Sequence, residues 1–131
     1  MRMIKYALLL LALAGTAHAA KVKVSWTNPS TNTDGSALTN LSYIEIEWGT
    51  CNGTAFGIKQ ASMLVVTSAA GAAMTGFVYP TGLTQVCIRA FAVNAPGAKS
   101  AYSNVAVKSL LPKPGKPVTL DQPVILSFNQ E

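Results

Sequence analysis

An all-β chain folded as a two-layer sandwich is what this sequence predicts, on three observations. Helix signals are nearly absent beyond residue 19, short runs of alternating apolar and polar residues recur, and Gly, Pro, Asn and Ser separate those runs. Short strands at this spacing, with no helical segment between them, belong in a β-sandwich. The first 19 residues read as a separate export signal. Removing them leaves 112 of the 131 residues, about the size of one domain with one core.

The export signal has three parts. Arg2 and Lys5 give a short basic region, Ile4 and the run from Ala7 to Ala14 an apolar core, and Ala17-His18-Ala19 a small-x-small cleavage pattern. Cleavage is expected after Ala19. An uncleaved anchor is the alternative, although the apolar run is short for a bilayer. No Cys follows that run, so a lipoprotein anchor is not expected. The address is therefore secreted, periplasmic or cell-surface.

The strands follow in order. Lys21 to Trp26 alternates strictly, placing Val22, Val24 and Trp26 on one face. Asn28-Pro29 and Asn32 to Ser36 form a polar loop. Tyr43 to Trp48 alternates again, with Ile44, Ile46 and Trp48 toward the core and Tyr43, Glu45 and Glu47 outward. Asn52-Gly53 is the strongest hairpin signal, turning the chain back through Ala55 and Phe56. Ser62 to Thr67 is a further strand, Ser68 to Ala73 a loop, and Met74 to Tyr79 a strand stopped by Pro80. In the next strand Val86, Ile88, Ala90 and Ala92 alternate with Cys87, Arg89, Phe91 and Val93. Asn94 to Lys99 is a turn, and Tyr102 to Lys108 the following strand.

Beyond Leu111 the composition changes. Residues 112–117 alternate Pro with Lys and Gly, which makes a stiff, extended connector. Residues 118–131 then carry Val118-Thr119-Leu120 and Val124 to Phe128, too apolar for an ordinary disordered end. They are expected to pack as one strand, or as two short ones around Pro123, with a flexible tail as the alternative.

Cys51 and Cys87 are the only cysteines, and both lie in the exported part. An oxidising compartment favours a disulfide between them, with two separate buried thiols as the alternative. A bridge would close a loop of about 36 residues, worth about 2–4 kcal/mol on loop-entropy grounds.

Composition excludes several chemistries. The mature chain carries eight basic and five acidic side chains, net +3, and its lysines are scattered. No clustered basic surface for nucleic acid is expected, and no stable membrane insertion after cleavage. His18 leaves with the signal, so neither a Ser-His-Asp nor a Cys-His arrangement forms, and no zinc ligand set remains. Glu45 and Glu47 stand about 7 Å apart by the strand rise, within reach of a glycosidase pair, yet on an open sheet face rather than across a cleft. Asp34-Gly35 is a turn without the ligand series of a calcium loop. No phosphate-binding glycine motif occurs, and no metal or cofactor is expected. Asn40-Leu41-Ser42 and Asn52-Gly53-Thr54 match the glycosylation sequon, a pattern that also arises by chance.

From about Val22 to Leu110 the chain resembles a fibronectin type III domain of the bacterial secreted type. The resemblance rests on the order of Val24-Ser25-Trp26-Thr27-Asn28-Pro29, Thr33 to Leu38, Ile44 to Gly49, Gly82-Leu83-Thr84, Ala90 to Asn94 and Ser100 to Val105. It implies an immunoglobulin-like sandwich across residues 20–111. The Trp26 segment is then strand B, Ile44 to Trp48 strand C, the segment ending at Tyr79 strand E, Val86 to Val93 strand F, and Tyr102 to Lys108 strand G. Trp26, Ile46, Trp48, Ile88 and Val105 would be central to the core. Two departures stand out. Val86 occupies the usual tyrosine position, so the corner hydroxyl is lost, and the disulfide is a candidate replacement. No strand A fits ahead of Lys21, so the 118–131 segment is inferred to supply it, on its own domain or on a neighbouring copy.

The expected function is that of a non-enzymatic structural or protein-interaction module, a subunit or accessory component of a cell-surface, extracellular or virion assembly. Its partner is another protein, with a second copy reached through Val118 to Phe128 as one form. The rival is a monomeric carbohydrate- or receptor-binding module. Tyr43, Phe91, Arg89 and Tyr79 are the candidate contacts, since exposed aromatic side chains dock proteins or stack on sugar rings.

Overall fold

The computed structural model describes residues 20–111 and 123–128. The export signal, the 112–117 connector and Val118 to Leu120 lie outside those residues. Among the described residues there are seven strands and no helix. They are β1 (Val22–Thr27), β2 (Leu41–Asn52), β3 (Ala55–Val66), β4 (Ala73–Val78), β5 (Gln85–Asn94), β6 (Ala106–Ser109) and β7 (Val124–Leu126). They form two sheets, one ordered β4-β1-β7 and the other β3-β2-β5-β6.

Strand alternation decides which side chains enter the space between the layers. Val22, Val24 and Trp26 of β1, Val78 of β4 and Val124 and Leu126 of β7 come from one sheet. Ile44, Ile46 and Trp48 of β2 and Val86, Ile88, Ala90 and Ala92 of β5 come from the other. Register places large side chains opposite small ones on the inner face, with Ile44 across from Ala92 and Ile46 across from Ala90. That pairing lets the core fill without crowding neighbouring strands.

Trp26 brings a polar atom into this core and finds a partner for it. Its indole Nε1 donates to Asn28 Oδ1 at 2.8 Å, and Asn28 is itself 2% exposed. Asn28 Nδ2 then donates to the Ala69 carbonyl at 2.9 Å, tying the end of β1 to the loop before β4. Each group would cost about 1–3 kcal/mol if left unpaired in the interior.

The Asn52-Gly53 turn joins β2 to β3, and Gly53 takes a positive φ of 64°. Beyond the turn the structure has one strand of 12 residues where the sequence suggested two pieces. Pairing continues through register shifts around Gly49. A Cβ at Gly49 would collide with the Ile58 carbonyl, so this irregularity depends on glycine.

The segment expected to form a strand from Tyr102 does so only from Ala106. Upstream, serines meet the edge of β5 instead. Ser103 Oγ accepts from the Ala90 amide at 2.9 Å and Ser100 Oγ from the Ala92 amide at 2.8 Å. Side-chain oxygens here take the place of strand carbonyls, an alternative that serine offers the backbone. In consequence Val105 is half-buried ahead of β6, and Ala106 is the residue that pairs with Ile88.

β7 runs parallel to β1, with Val24 opposite Val124 and Trp26 opposite Leu126. Val124 and Leu126 point inward and Ile125 outward, 70% exposed. On its other side β7 meets Asn104. Ser127 N donates to Asn104 Oδ1 at 2.7 Å, and Asn104 N donates to the Ser127 carbonyl at 3.2 Å. The short strand thus touches both layers at one margin of the molecule.

Candidate functional site

The outer face of the four-stranded sheet gathers the polar and aromatic side chains that alternation turns away from the core. Register sets Tyr43 opposite Val93, Glu45 opposite Phe91, Glu47 opposite Arg89 and Gly49 opposite Cys87. Cys51 and Cys87 are joined in a disulfide, their Cα atoms 5.2 Å apart. Cys51 lies two residues beyond Gly49, the last residue of β2 paired with β5, and the bond ties β2 to β5 within one sheet.

Glu47 is the electrostatic centre of this face. Sequence alternation places it on the solvent side, yet it is 5% exposed, because neighbouring side chains close over it. Arg89 Nε donates to its Oε1 at 3.0 Å, and Lys59 Nζ lies 3.7 Å from Oε2. Burying a carboxylate this deeply is costly unless opposite charges lie against it, and Arg89 and Lys59 supply them.

Arg89 is in turn held between two rings. Its guanidinium carbon lies 4.0 Å from the Phe56 ring centre and 3.8 Å from that of Tyr102. Tyr102 meets Phe91 edge-to-face at 5.5 Å, and Lys99 Nζ sits 5.0 Å above the Phe91 ring. The order Phe56, Arg89, Tyr102, Phe91, Lys99 is thus a continuous stack of rings and cations. Each cation–ring contact contributes about 0.5–1 kcal/mol at a partly exposed site.

This arrangement separates the four candidate contact residues. Arg89 is engaged by Glu47 and two rings. Phe91 is 4% exposed beneath Tyr102 and Lys99, so it supports the surface without presenting a ring to solvent. Tyr43 is half-buried on the same face. Tyr79 follows β4 in the other sheet, 51% exposed, and does not join them. Phe56, Lys59 and Tyr102 join the site and escaped the sequence reading, and Lys99 joins it from the turn expected at Asn94 to Lys99. Phe56 did carry a signal, standing just past the Asn-Gly turn where the hairpin returns beside β2. Tyr102 carried none, because its position depends on the irregular segment before β6.

Beyond the stack the face runs out to β3. Glu45 pairs with Leu64 and Tyr43 with Val66 across β2 and β3. Leu64 is 57% exposed and Val66 84%, which makes an apolar margin along the sheet edge. Elsewhere a cleft of about 530 Å³ lies between Trp26, Met74 and Phe128, lined by apolar side chains and by the hydroxyls of Ser25, Ser30, Thr75 and Ser127, with no charged side chain, His or Cys in its wall. Among the described residues no three His, Cys, Asp or Glu side chains come together as metal ligands. No family model, curated protein or solved structure matches this chain.

Proposed function

We propose that this protein is an exported, non-enzymatic module that works by protein contact, as a structural or accessory component of an assembly outside the cytoplasm. The observation that carries the reading is the apolar margin at Leu64 and Val66, bordering a sheet face on which Glu47 is paired with Arg89 and Lys59 and Arg89 is stacked between rings. A sheet face whose central ion pair is held in place and whose border is apolar and exposed suits docking against another protein surface. The disulfide supports an oxidising address, and among the described residues no helix is long and apolar enough to cross a membrane. The fibronectin type III reading fits the layer order, with β7 standing beside β1 where that pattern has its leading strand. The glycan-binding reading is weaker, because Tyr43, Phe91 and Tyr79 do not converge on one open platform.

Native-size analysis of the exported fraction from producing cells tests this. The tagged protein should migrate in an assembly larger than two chains and show no retention on polysaccharide columns. A free chain that binds polysaccharide would replace the proposal with its rival.

A further inference from the structure

The outer edge of β3 is the longest strand edge in the molecule without a partner among the described residues. Proteins usually protect such an edge with lysine, proline or a bulge. Here those features stop at residues 59 and 60. Lys59 is the only charged residue of β3, and Gln60 is turned toward the layer seam, bonding both the amide and the carbonyl of Thr81 at 3.0 and 2.6 Å. From Ala61 to Val66 the strand carries no charge and no proline.

We infer that this stretch pairs antiparallel with the same stretch of a second copy, joining two four-stranded sheets into one of eight strands. The inference rests on the protein-contact reading and names the partner. A two-fold axis at Leu64 sets Leu64 against Leu64 and Ser62 against Val66, and each pair shares a face because the positions have equal parity. The outer face then acquires an unbroken apolar strip of two Leu64 and two Val66 side chains. On the inner face Met63 of each copy meets Val65 of the other.

Charge favours a copy over a partner of different composition. A neutral edge offers no ionic group for an acidic or basic strand to recognise, whereas the same stretch of a second copy brings no charge against it and sets apolar side chains on apolar ones. Like charges also stay apart in this arrangement. The two Lys59 residues lie ten positions from one another along the paired strands, roughly 33 Å, and each faces its own Glu47. The two Glu45 residues are separated by three strand spacings, about 14 Å, beyond the screening length at physiological salt.

Sedimentation equilibrium on the mature, oxidised protein tests the pairing. A dimer is expected at concentrations up to about 1 mM. The double variant Leu64→Lys, Val66→Lys changes side chains that face solvent, so its near-ultraviolet dichroism should stay native while its dimer dissociates at least tenfold more readily. Independently, Leu64→Cys places a thiol at the axis, where facing Cα atoms about 4.5–5.5 Å apart permit a disulfide, and should cross-link two chains under oxidation. Ser109→Cys on β6 should not. A chain that stays monomeric throughout, a dimer untouched by the lysines, or a Leu64→Cys protein that fails to cross-link would each overturn the inference. A monomeric protein that still enters the larger assembly refutes only the self-pairing. A dimer that enters no assembly refutes only the broader reading.

Discussion

Glu47 shows how much one side chain depends on its neighbours. Its strand parity was correct, yet an outward position on a sheet is not the same as exposure when Arg89 and Lys59 lie against the carboxylate and Arg89 is itself held between Phe56 and Tyr102. The two tryptophans give a similar contrast. Trp26 Nε1 donates to buried Asn28, whereas Trp48 Nε1 meets no acceptor among the described residues. Trp26→Phe should therefore destabilise by about 1–3 kcal/mol and Trp48→Phe by clearly less, as read by urea denaturation of both variants. Asp34 titrates differently from a free aspartate. The Ser36 hydroxyl, then the Ser36 amide, donate to its carboxylate and hold its pKa below the ordinary value. A lowered folded-state pKa means that the stabilisation of this turn is present above the unfolded value and fades as pH falls through the folded one. In Ser36→Ala the Asp34 titration followed by NMR should move upward toward the ordinary value, and an unmoved midpoint would contradict the assigned cause.

Among the strands, β1 and β2 were legible because large apolar residues recur at every second position, and β5 because Val86, Ile88, Ala90 and Ala92 keep the same period with smaller side chains. β3 was read as two pieces, since the shift around Gly49 breaks the period that sequence reading depends on. β6 was read too long because serine hydroxyls stand in for a ladder, and no periodic signal announces that substitution. The apolar pattern of β7 was visible, but its parallel pairing and its contact with Asn104 were not. They depend on a meeting across more than 20 residues. Two substitutions separate the sources of its attachment. Leu126→Ala removes a side chain that is 2% exposed and should cost about 2–5 kcal/mol. Asn104→Ala removes hydrogen bonds at the surface and should cost about 0.5–1.5 kcal/mol. In both, amide exchange should quicken at Val24 to Trp26 before it changes at Ile44 to Trp48. Equal acceleration in the two strands would show that β7 does not open by itself.

For the molecule as a whole, the layer architecture followed from alternation and punctuation, while the candidate site did not. Arg89, Tyr43 and Cys87 were placeable on one face by parity. The stack that immobilises Arg89 needed Phe56 from a returning hairpin and Tyr102 from an irregular connection, and neither position is encoded by a local period. The direction of the last ladder also has a mechanical side. Because β1 and β7 run parallel, the start of β1 and the end of β7 lie at opposite ends of the same three-pair ladder. Tension applied at Ala20 and Phe128 would slide these strands lengthwise, so the bonds between them bear the load together and not one after another. A chain pulled from its ends would therefore resist at its shortest strand, before the disulfide-tied sheet carried any force.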